Sequence, residues 1–150
     1  MNQKAIIYTS YHHQNTYNLI KSVVSEKEYD WVNLLENAEV NLEHYKTIIF
    51  ASGIYGFRMH ENLMKFIKNN QTLLKNKQLA LVITSSMNPD NHARRAFKFF
   101  NKLNLGHIVI FGTRGFNTFG PFKLFGGANK NRPNEEDQLN LKEFIAENEL

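Results

Sequence analysis

The stretch YKTIIFASG, residues 45–53, is a run of apolar and β-branched residues that ends in Ser-Gly. Its apolar residues are continuous rather than alternating, which predicts a strand that is buried on both faces of a sheet. The same character is found in KAIIYTS (residues 4–10), QLALVITSS (78–86) and HIVIFGTRG (107–115). A weaker strand signal lies in YDWVNLLE, residues 29–36. Buried strands of this kind are typical of a parallel sheet covered by helices.

Between these strands, apolar residues recur at helical spacing, and the first helix is predicted to begin near Asn15 or Thr16. Strands alternating with helices predict an α/β fold: a three-layer, doubly wound sandwich with a five-stranded parallel sheet of order 2-1-3-4-5, in one domain over residues 1–150. Ligands of such folds bind beyond the carboxyl ends of the strands. The helical spacing is seen in four groups: Leu19, Ile20, Val23 and Val24; Met59, Leu63, Phe66 and Ile67; Ala93, Ala96, Phe97, Phe100 and Leu103; Leu141, Phe144 and Ile145.

The composition excludes several classes of protein. The chain has no cysteine, so disulfides, thiolate catalysis and Cys-ligated metal sites are ruled out. No apolar run approaches the roughly 20 residues of a membrane helix, and we therefore expect no membrane span and a cytoplasmic location. The net charge is +4, but residues 135–150 carry −5, which leaves +9 on the rest of the chain. A basic body favours acidic partners or ligands.

The first loop, SYHHQNT at residues 10–16, offers hydroxyl and amide side chains and the backbone N–H groups at the start of a helix. Such a loop suits a phosphate, although Asn15 or Thr16 would also serve simply as a helix cap. His12 and His13 are adjacent, and adjacent side chains point apart, so they do not form a metal site together. We interpret both as loop residues whose N–H groups face a phosphate, with a solvent-exposed spacer as the alternative for one of them.

The second loop, SGIYGFRMH at residues 52–60, places two aromatic residues around a glycine at the end of a strand. Tyr55 and Phe57 would hold a flat ring, since Gly56 allows the backbone to approach a ligand closely. The alternative is a hydrophobic plug over the core.

Three segments together resemble the flavodoxin-like family, particularly its small flavodoxin-domain proteins: IIYTSYHHQNT, YKTIIFASGIYGFRMHENLMKFI and GFNTFGPFKLFGGANKNRPNEEDQLNLKEF. The second loop is also similar to that of the flavodoxin-like protoporphyrinogen oxidases. The resemblance spans nearly the whole chain and implies an FMN-binding fold. It implies three groups of cofactor-binding residues: Ser10, His12, His13, Gln14, Asn15 and Thr16 around the phosphate; Ser52, Gly53, Ile54, Tyr55, Gly56 and Phe57 at the flavin ring; Thr84, Ser85 and Ser86 at its other edge.

The resemblance leaves three functions open. The first is an electron carrier that exchanges electrons with a redox partner protein or a small-molecule oxidant or reductant. The second is a flavin-dependent oxidoreductase acting on a quinone or porphyrin-like substrate, with residues 117–131 as a wall or lid. The third is a flavin-free module, favoured by Gln14, which stands where the family usually has glycine. If that position requires a positive φ, we expect a strain of about 1 kcal/mol or more.

Basic residues are expected around the rim of the ligand site and favour an acidic partner or substrate. They are Arg58, Arg114, Lys123, Lys130 and Arg132. A second basic set lies on one predicted helix, but no nucleic-acid-binding motif accompanies it, which argues against a nucleic-acid partner. That set is Arg94, Arg95, Lys98 and Lys102.

Overall fold

The structure, a computed structural model, describes residues 2–10, 14–37, 39–118 and 120–150. Strands and helices alternate along most of the chain as predicted, but among the described residues no helix separates the second strand from the third. Their order is β1 (Lys4–Thr9), α1 (Asn15–Lys21), β2 (Asp30–Asn33), β3 (Thr47–Tyr55), β4 (Arg58–Met59), α2 (Glu61–Asn69), α3 (Gln71–Leu74), β5 (Gln78–Ser85), α4 (Pro89–Lys102), β6 (Val109–Arg114), a 3₁₀ helix (Gly120–Phe125) and α5 (Glu135–Glu147).

Five parallel strands form the sheet in the order β2-β1-β3-β5-β6. This is the predicted order 2-1-3-4-5 once the two-residue strand β4 is set aside, so the predicted fold class is confirmed. The sheet order brings the loops after β1, β3, β5 and β6 to one edge, where ligands of doubly wound folds bind.

Strand β4 is an addition that the sequence analysis did not predict. It pairs antiparallel with the end of β3, with Ile54 opposite Met59. The two residues between the strands, Gly56 and Phe57, have φ values of 54° and 68°, the positive values that tight hairpin turns require. The assignment of Met59 to a helix was wrong, because α2 begins at Glu61.

The core has two parts, one on each face of the sheet, because neighbouring residues of a strand point to opposite faces. On β1, Ile7 packs with the apolar residues of α2 and α4, and Ile6 packs with those of α1 and α5. The central strand β3 contributes Phe50 to the first cluster and Ile49 to the second, and both side chains are fully buried. These two clusters bind the three layers together.

Two helices refine the predicted pattern. On α4, Ala96 and Phe100 are buried, but Phe97 is 43% exposed, so its assignment to the same apolar face was wrong. Helix α5 is capped by Asn134, whose side chain accepts from the Asp137 backbone while the Asp137 carboxylate accepts from the Asn134 backbone.

Within the described ranges, no helix combines the length and hydrophobicity needed to cross a membrane.

Candidate functional site

A cleft of about 190 Å³, partly open to solvent, lies at the carboxyl ends of the parallel strands. It brings together residues that are far apart in the sequence, as the sheet order requires. No carboxylate, imidazole, ammonium or guanidinium group is among the described residues that line it. Those residues are Asn15, Thr16, Gly53, Ile54, Tyr55, Gly56, Thr84, Ser85, Ser86, Gly115, Phe116 and Asn117.

Two side chains at the start of α1 connect the first loop to the other loops. The Thr16 and Thr84 hydroxyls form a hydrogen bond of 2.8 Å, and both residues are buried. The Asn15 side-chain amide donates to the Phe116 carbonyl at 2.7 Å. These contacts join the start of α1 to β5 and to the loop after β6, and they hold the Asn15 and Thr16 side chains in place.

The backbone enters α1 through a left-handed conformation. Gln14 has φ 48° and ψ 34°, and its carbonyl accepts from the Asn18 N–H at 2.9 Å as the first bond of the helix. The positive φ on which the expected strain depends is therefore present at this position. A residue with a Cβ is strained in this region by about 1–2 kcal/mol.

The wall formed by β3 combines a glycine with an aromatic ring. A Cβ added to Gly53 would lie 2.8 Å from the Tyr55 hydroxyl and 3.2 Å from its ring carbon Cε2. The Tyr55 ring therefore lies directly over Gly53, and it contacts the His60 ring edge-on at 5.5 Å between centroids. This close approach is possible only because residue 53 has no side chain.

Several predicted residues lie outside the cleft lining. The Ser52 hydroxyl is buried; it donates to the Gly53 carbonyl at 2.6 Å and accepts from the His60 N–H at 3.0 Å. Ser10 accepts a long hydrogen bond of 3.5 Å from the Tyr17 N–H. Ser52 thus connects β3 to the start of α2, and Ser10 connects β1 to α1. His12 and His13 lie outside the described residues.

Phe57 occupies the outer side of the hairpin turn and is 58% exposed. Its ring stacks on His92 of α4 at 6.3 Å, and the Arg95 guanidinium lies 5.4 Å from its centroid. Burial, together with the Arg95 charge, lowers the pKa of His92 and outweighs a hydrogen bond with the Phe57 backbone. The imidazole is therefore uncharged at neutral pH, and its ring packs against the Phe57 ring of the hairpin.

The loop after β6 contributes Gly115, Phe116 and Asn117 to the cleft, and the sequence analysis named none of these as site residues. These three residues begin the segment GFNTFGPF that carries part of the family resemblance, but no site role was inferred for them. The available signal was topological: Gly115 follows a buried parallel strand, so it lies on the same edge as the other loops.

Residues 117–118 and 120–131 form an arm beside the cleft. Asn117 and Ala128 exchange two backbone hydrogen bonds of 3.0 and 2.7 Å. The Asn129 amide donates to the Ser86 carbonyl at 3.0 Å and to the Gly115 carbonyl at 3.3 Å. The arm is therefore attached to the loops after β5 and β6.

The end of this arm is anchored by a buried ion pair. Arg132 donates to both carboxylate oxygens of Asp137, at 2.5 and 2.6 Å, and Asp137 is 2% exposed. The Thr113 hydroxyl also donates to this carboxylate. Burial alone would raise the pKa of Asp137, but hydrogen bonds from Arg132, Thr113 and the Asn134 backbone, with the Arg132 charge, hold it below its ordinary value of 3.8.

A metal site finds no support in the part of the chain that the structure describes. It contains no group of three His, Asp or Glu side chains placed to hold a metal ion.

Replacing Gln14 with glycine is expected to relieve the strain of the left-handed backbone. We expect a free energy of unfolding higher by on the order of 1 kcal/mol, or FMN bound more tightly by a similar amount. Chemical denaturation and FMN titration measure the two effects. Asn104→Gly is the matched control, because Asn104 has φ 57° at the end of α4 and does not line the cleft. A Gln14→Gly protein that is less stable and binds FMN no better would contradict the strain.

Comparisons with known proteins agree with this architecture. The family model described as Flavodoxin domain matches residues 5–114. An uncharacterized protein of Methanocaldococcus jannaschii is 34% identical over 142 residues, which cover 93% of each chain.

Two solved structures show the same fold at low sequence identity. Oxidised flavodoxin 1 from Bacillus cereus has a TM-score of 0.62 at 19% identity, covering 97% of this chain and 96% of its own. The NADPH-quinone reductase from P. pentosaceus has a TM-score of 0.62 at 16% identity, covering 96% of this chain and 97% of its own. The match of the family model, supported by the sheet order and the position of the cleft, shows that this chain belongs to the flavodoxin domain family.

Proposed function

We propose that this protein is an FMN-binding, flavodoxin-like redox protein that transfers electrons through a non-covalently bound flavin. The observation that carries the proposal is the cleft at the carboxyl ends of β1, β3, β5 and β6. It lies where doubly wound folds bind their ligands, and membership of the family supports a flavin as that ligand.

The residues present fit this cofactor. Asn15 and Thr16, with the backbone of the first loop, would hold the phosphate through hydrogen bonds. The segments 53–56 and 84–86 would border the flavin ring. Two glycines keep the cleft open: a Cβ on Gly53 would meet the Tyr55 ring, and a Cβ on Gly115 would lie 2.8 Å from the Asn15 amide and 3.2 Å from Thr84 Cβ.

The lining residues favour an electron carrier over an acid–base enzyme. A bound flavin would itself take up and release the electrons. The chain contributes hydroxyl, amide and backbone groups that bind and orient, and the described lining offers no carboxylate or imidazole to move a proton. The aromatic residues Tyr55 and Phe116 form part of the cleft lining.

A second candidate is an oxidoreductase acting on a quinone or porphyrin-like molecule. The arm favours it, because its described residues lie beside the cleft and would form one wall of a substrate site. Reduction of a quinone by the purified protein and a chemical reductant, with no second protein present, would favour the enzyme over the carrier.

The proposal is tested by titrating the purified protein with FMN and with riboflavin, following the quenching of flavin fluorescence. FMN is expected to bind at least tenfold more tightly than riboflavin, because charge-assisted hydrogen bonds to phosphate are worth about 1.5–3 kcal/mol each. Equal and weak binding of both flavins would contradict the proposal.

A pair of glycine variants locates the binding site. Gly115→Ala is expected to weaken FMN binding roughly tenfold, a loss of about 1.4 kcal/mol, because the methyl group displaces the Asn15 side chain. Gly106→Ala is the matched control, since its Cβ would approach the Asn101 side-chain oxygen at 2.7 Å but outside the cleft. Similar affinities for both variants would place the flavin elsewhere.

A further inference from the structure

We propose that the tip of the arm, Lys123, Leu124 and Phe125, docks this protein on an anionic lipid surface. Leu124 is 84% exposed and Phe125 is 80% exposed, whereas the next most exposed large hydrophobic side chain among the described residues, Phe57, reaches 58%. Two adjacent apolar side chains that project this far into water lose favourable free energy unless another surface covers them.

The charge around the tip identifies the covering surface. Residues 114–132 include four basic residues and no Asp or Glu. Arg132 is paired with Asp137, but Arg114, Lys123 and Lys130 are exposed and form no ion pair with any described residue. The Lys130 ammonium lies over Gly126, 2.9 Å from where a Cβ on that glycine would stand. Because Gly126 follows Phe125 in the chain, this cation lies near the tip. Apolar and cationic groups therefore lie together at the tip.

The arm presents these side chains on a held backbone. The Gly127 N–H donates to the Phe122 carbonyl at 2.7 Å, and the Gly126 N–H donates to the Lys123 carbonyl at 3.3 Å. With the Asn117–Ala128 pair at its base, the 3₁₀ turn is closed on itself. Docking would therefore require little ordering of the backbone, which lowers its entropic cost.

A lipid surface fits this tip better than an acidic protein does. Leu124 and Phe125 are adjacent and both at least 80% exposed. A protein partner would need a matching pocket for them, whereas lipid headgroups and acyl chains close around an inserted side chain. Stable attachment to lipid takes two signals, apolar insertion and basic charge, and the tip supplies both. Because Asn117, at the base of the arm, also lines the cleft, docking would bring the cleft close to the lipid.

Vesicle co-sedimentation of the full-length protein tests this proposal. The wild-type protein is expected to bind vesicles of phosphatidylglycerol and phosphatidylcholine in about equal amounts at least tenfold more tightly than vesicles of phosphatidylcholine alone. Leu124→Asn/Phe125→Asn should weaken binding to the anionic vesicles tenfold or more. Lys123→Gln/Lys130→Gln should weaken it severalfold and reduce its dependence on salt.

Leu139→Asn is the matched control, because Leu139 is also an exposed leucine, at 56%, but lies on the acidic helix α5. It should leave vesicle binding unchanged. A Phe125→Trp variant in a Trp31→Phe background should show blue-shifted emission with anionic vesicles, since Trp31 is the single tryptophan. The proposal would be overturned if the wild-type protein bound neither kind of vesicle, or if Leu139→Asn and the tip variant Leu124→Asn/Phe125→Asn lost vesicle binding equally. An acidic protein would then be the partner of the tip.

Discussion

Replacing Arg132 with methionine is expected to lower the free energy of unfolding by about 3 kcal/mol. The variant leaves the Asp137 carboxylate, which is 2% exposed, without its cation, and removing one partner of a buried ion pair costs about 3–5 kcal/mol. The lower end of that range applies because Arg132 is itself 34% exposed. Hydrogen bonds from Thr113 and the Asn134 backbone also remain to the carboxylate.

Chemical denaturation of a double-mutant cycle measures this effect. Arg132→Met/Asp137→Leu should be less destabilised than the sum of the two single variants by roughly 1–3 kcal/mol, since the second change removes the uncompensated charge. Lys142→Met is the control, because it removes a cation from an exposed position on α5, the helix that carries Asp137. It should change the free energy of unfolding by about 0.5 kcal/mol or less. Additive losses would show that the two side chains do not act as a pair.

The same pair predicts the direction of acid unfolding. The pKa of Asp137 in the folded protein lies below its ordinary value of 3.8, so folding favours the ionised carboxylate. Its contribution to stability is therefore complete above the ordinary pKa and is lost as the pH falls through the lowered one. In Arg132→Met, burial is no longer opposed by the guanidinium, and acid unfolding should begin at a higher pH than in the wild-type protein.

Gly53→Val is expected to weaken FMN binding roughly a hundredfold, or about 2.7 kcal/mol. Valine suits an extended strand, so the fold should persist, but its side chain would displace the Tyr55 ring, which lines the cleft. Flavin fluorescence measures the affinity, and thermal unfolding checks that the fold is retained.

The Tyr55→Ala background separates two causes of this loss. If the displaced ring blocks the flavin, Gly53→Val should cost much less affinity when Tyr55 is alanine. If the valine itself fills the cleft, the loss should persist in that background. A Gly53→Val protein that binds FMN normally in either background would remove this wall from the site.

The sheet and its strand order were predictable because they follow from clear patterns along the amino-acid sequence. Runs such as TIIFA in β3 and LALVI in β5 are apolar throughout, and only a strand covered on both faces buries every residue of such a run. The topology then placed the loops after β1, β3, β5 and β6 at one edge. For Gln14 the sequence left open whether the position needs a positive φ, and the structure gives it one.

The parts that were not predicted depend on contacts across the fold. Met59 fits the spacing of the next helix, but its backbone pairs with Ile54, a consequence of the tight turn at Gly56. Phe57 is the second residue of that turn, and its ring stacks on His92 of α4, a helix distant in the sequence. Asn117 lines the cleft at the base of the arm, which Asn129 attaches to Ser86 and Gly115. No local pattern records these partners.

Strand β3 belongs both to the centre of the core and to the wall of the cleft. Residues 47–52 pair with β1 and residues 47–53 with β5, and the strand then continues into the hairpin with β4. Amide hydrogens of such a central segment exchange with solvent mainly through global unfolding. A ligand held by the end of this strand would slow that exchange along its whole length, by a factor set by its concentration relative to its dissociation constant. Occupancy of the site would therefore be recorded in the slowest-exchanging amides of the protein.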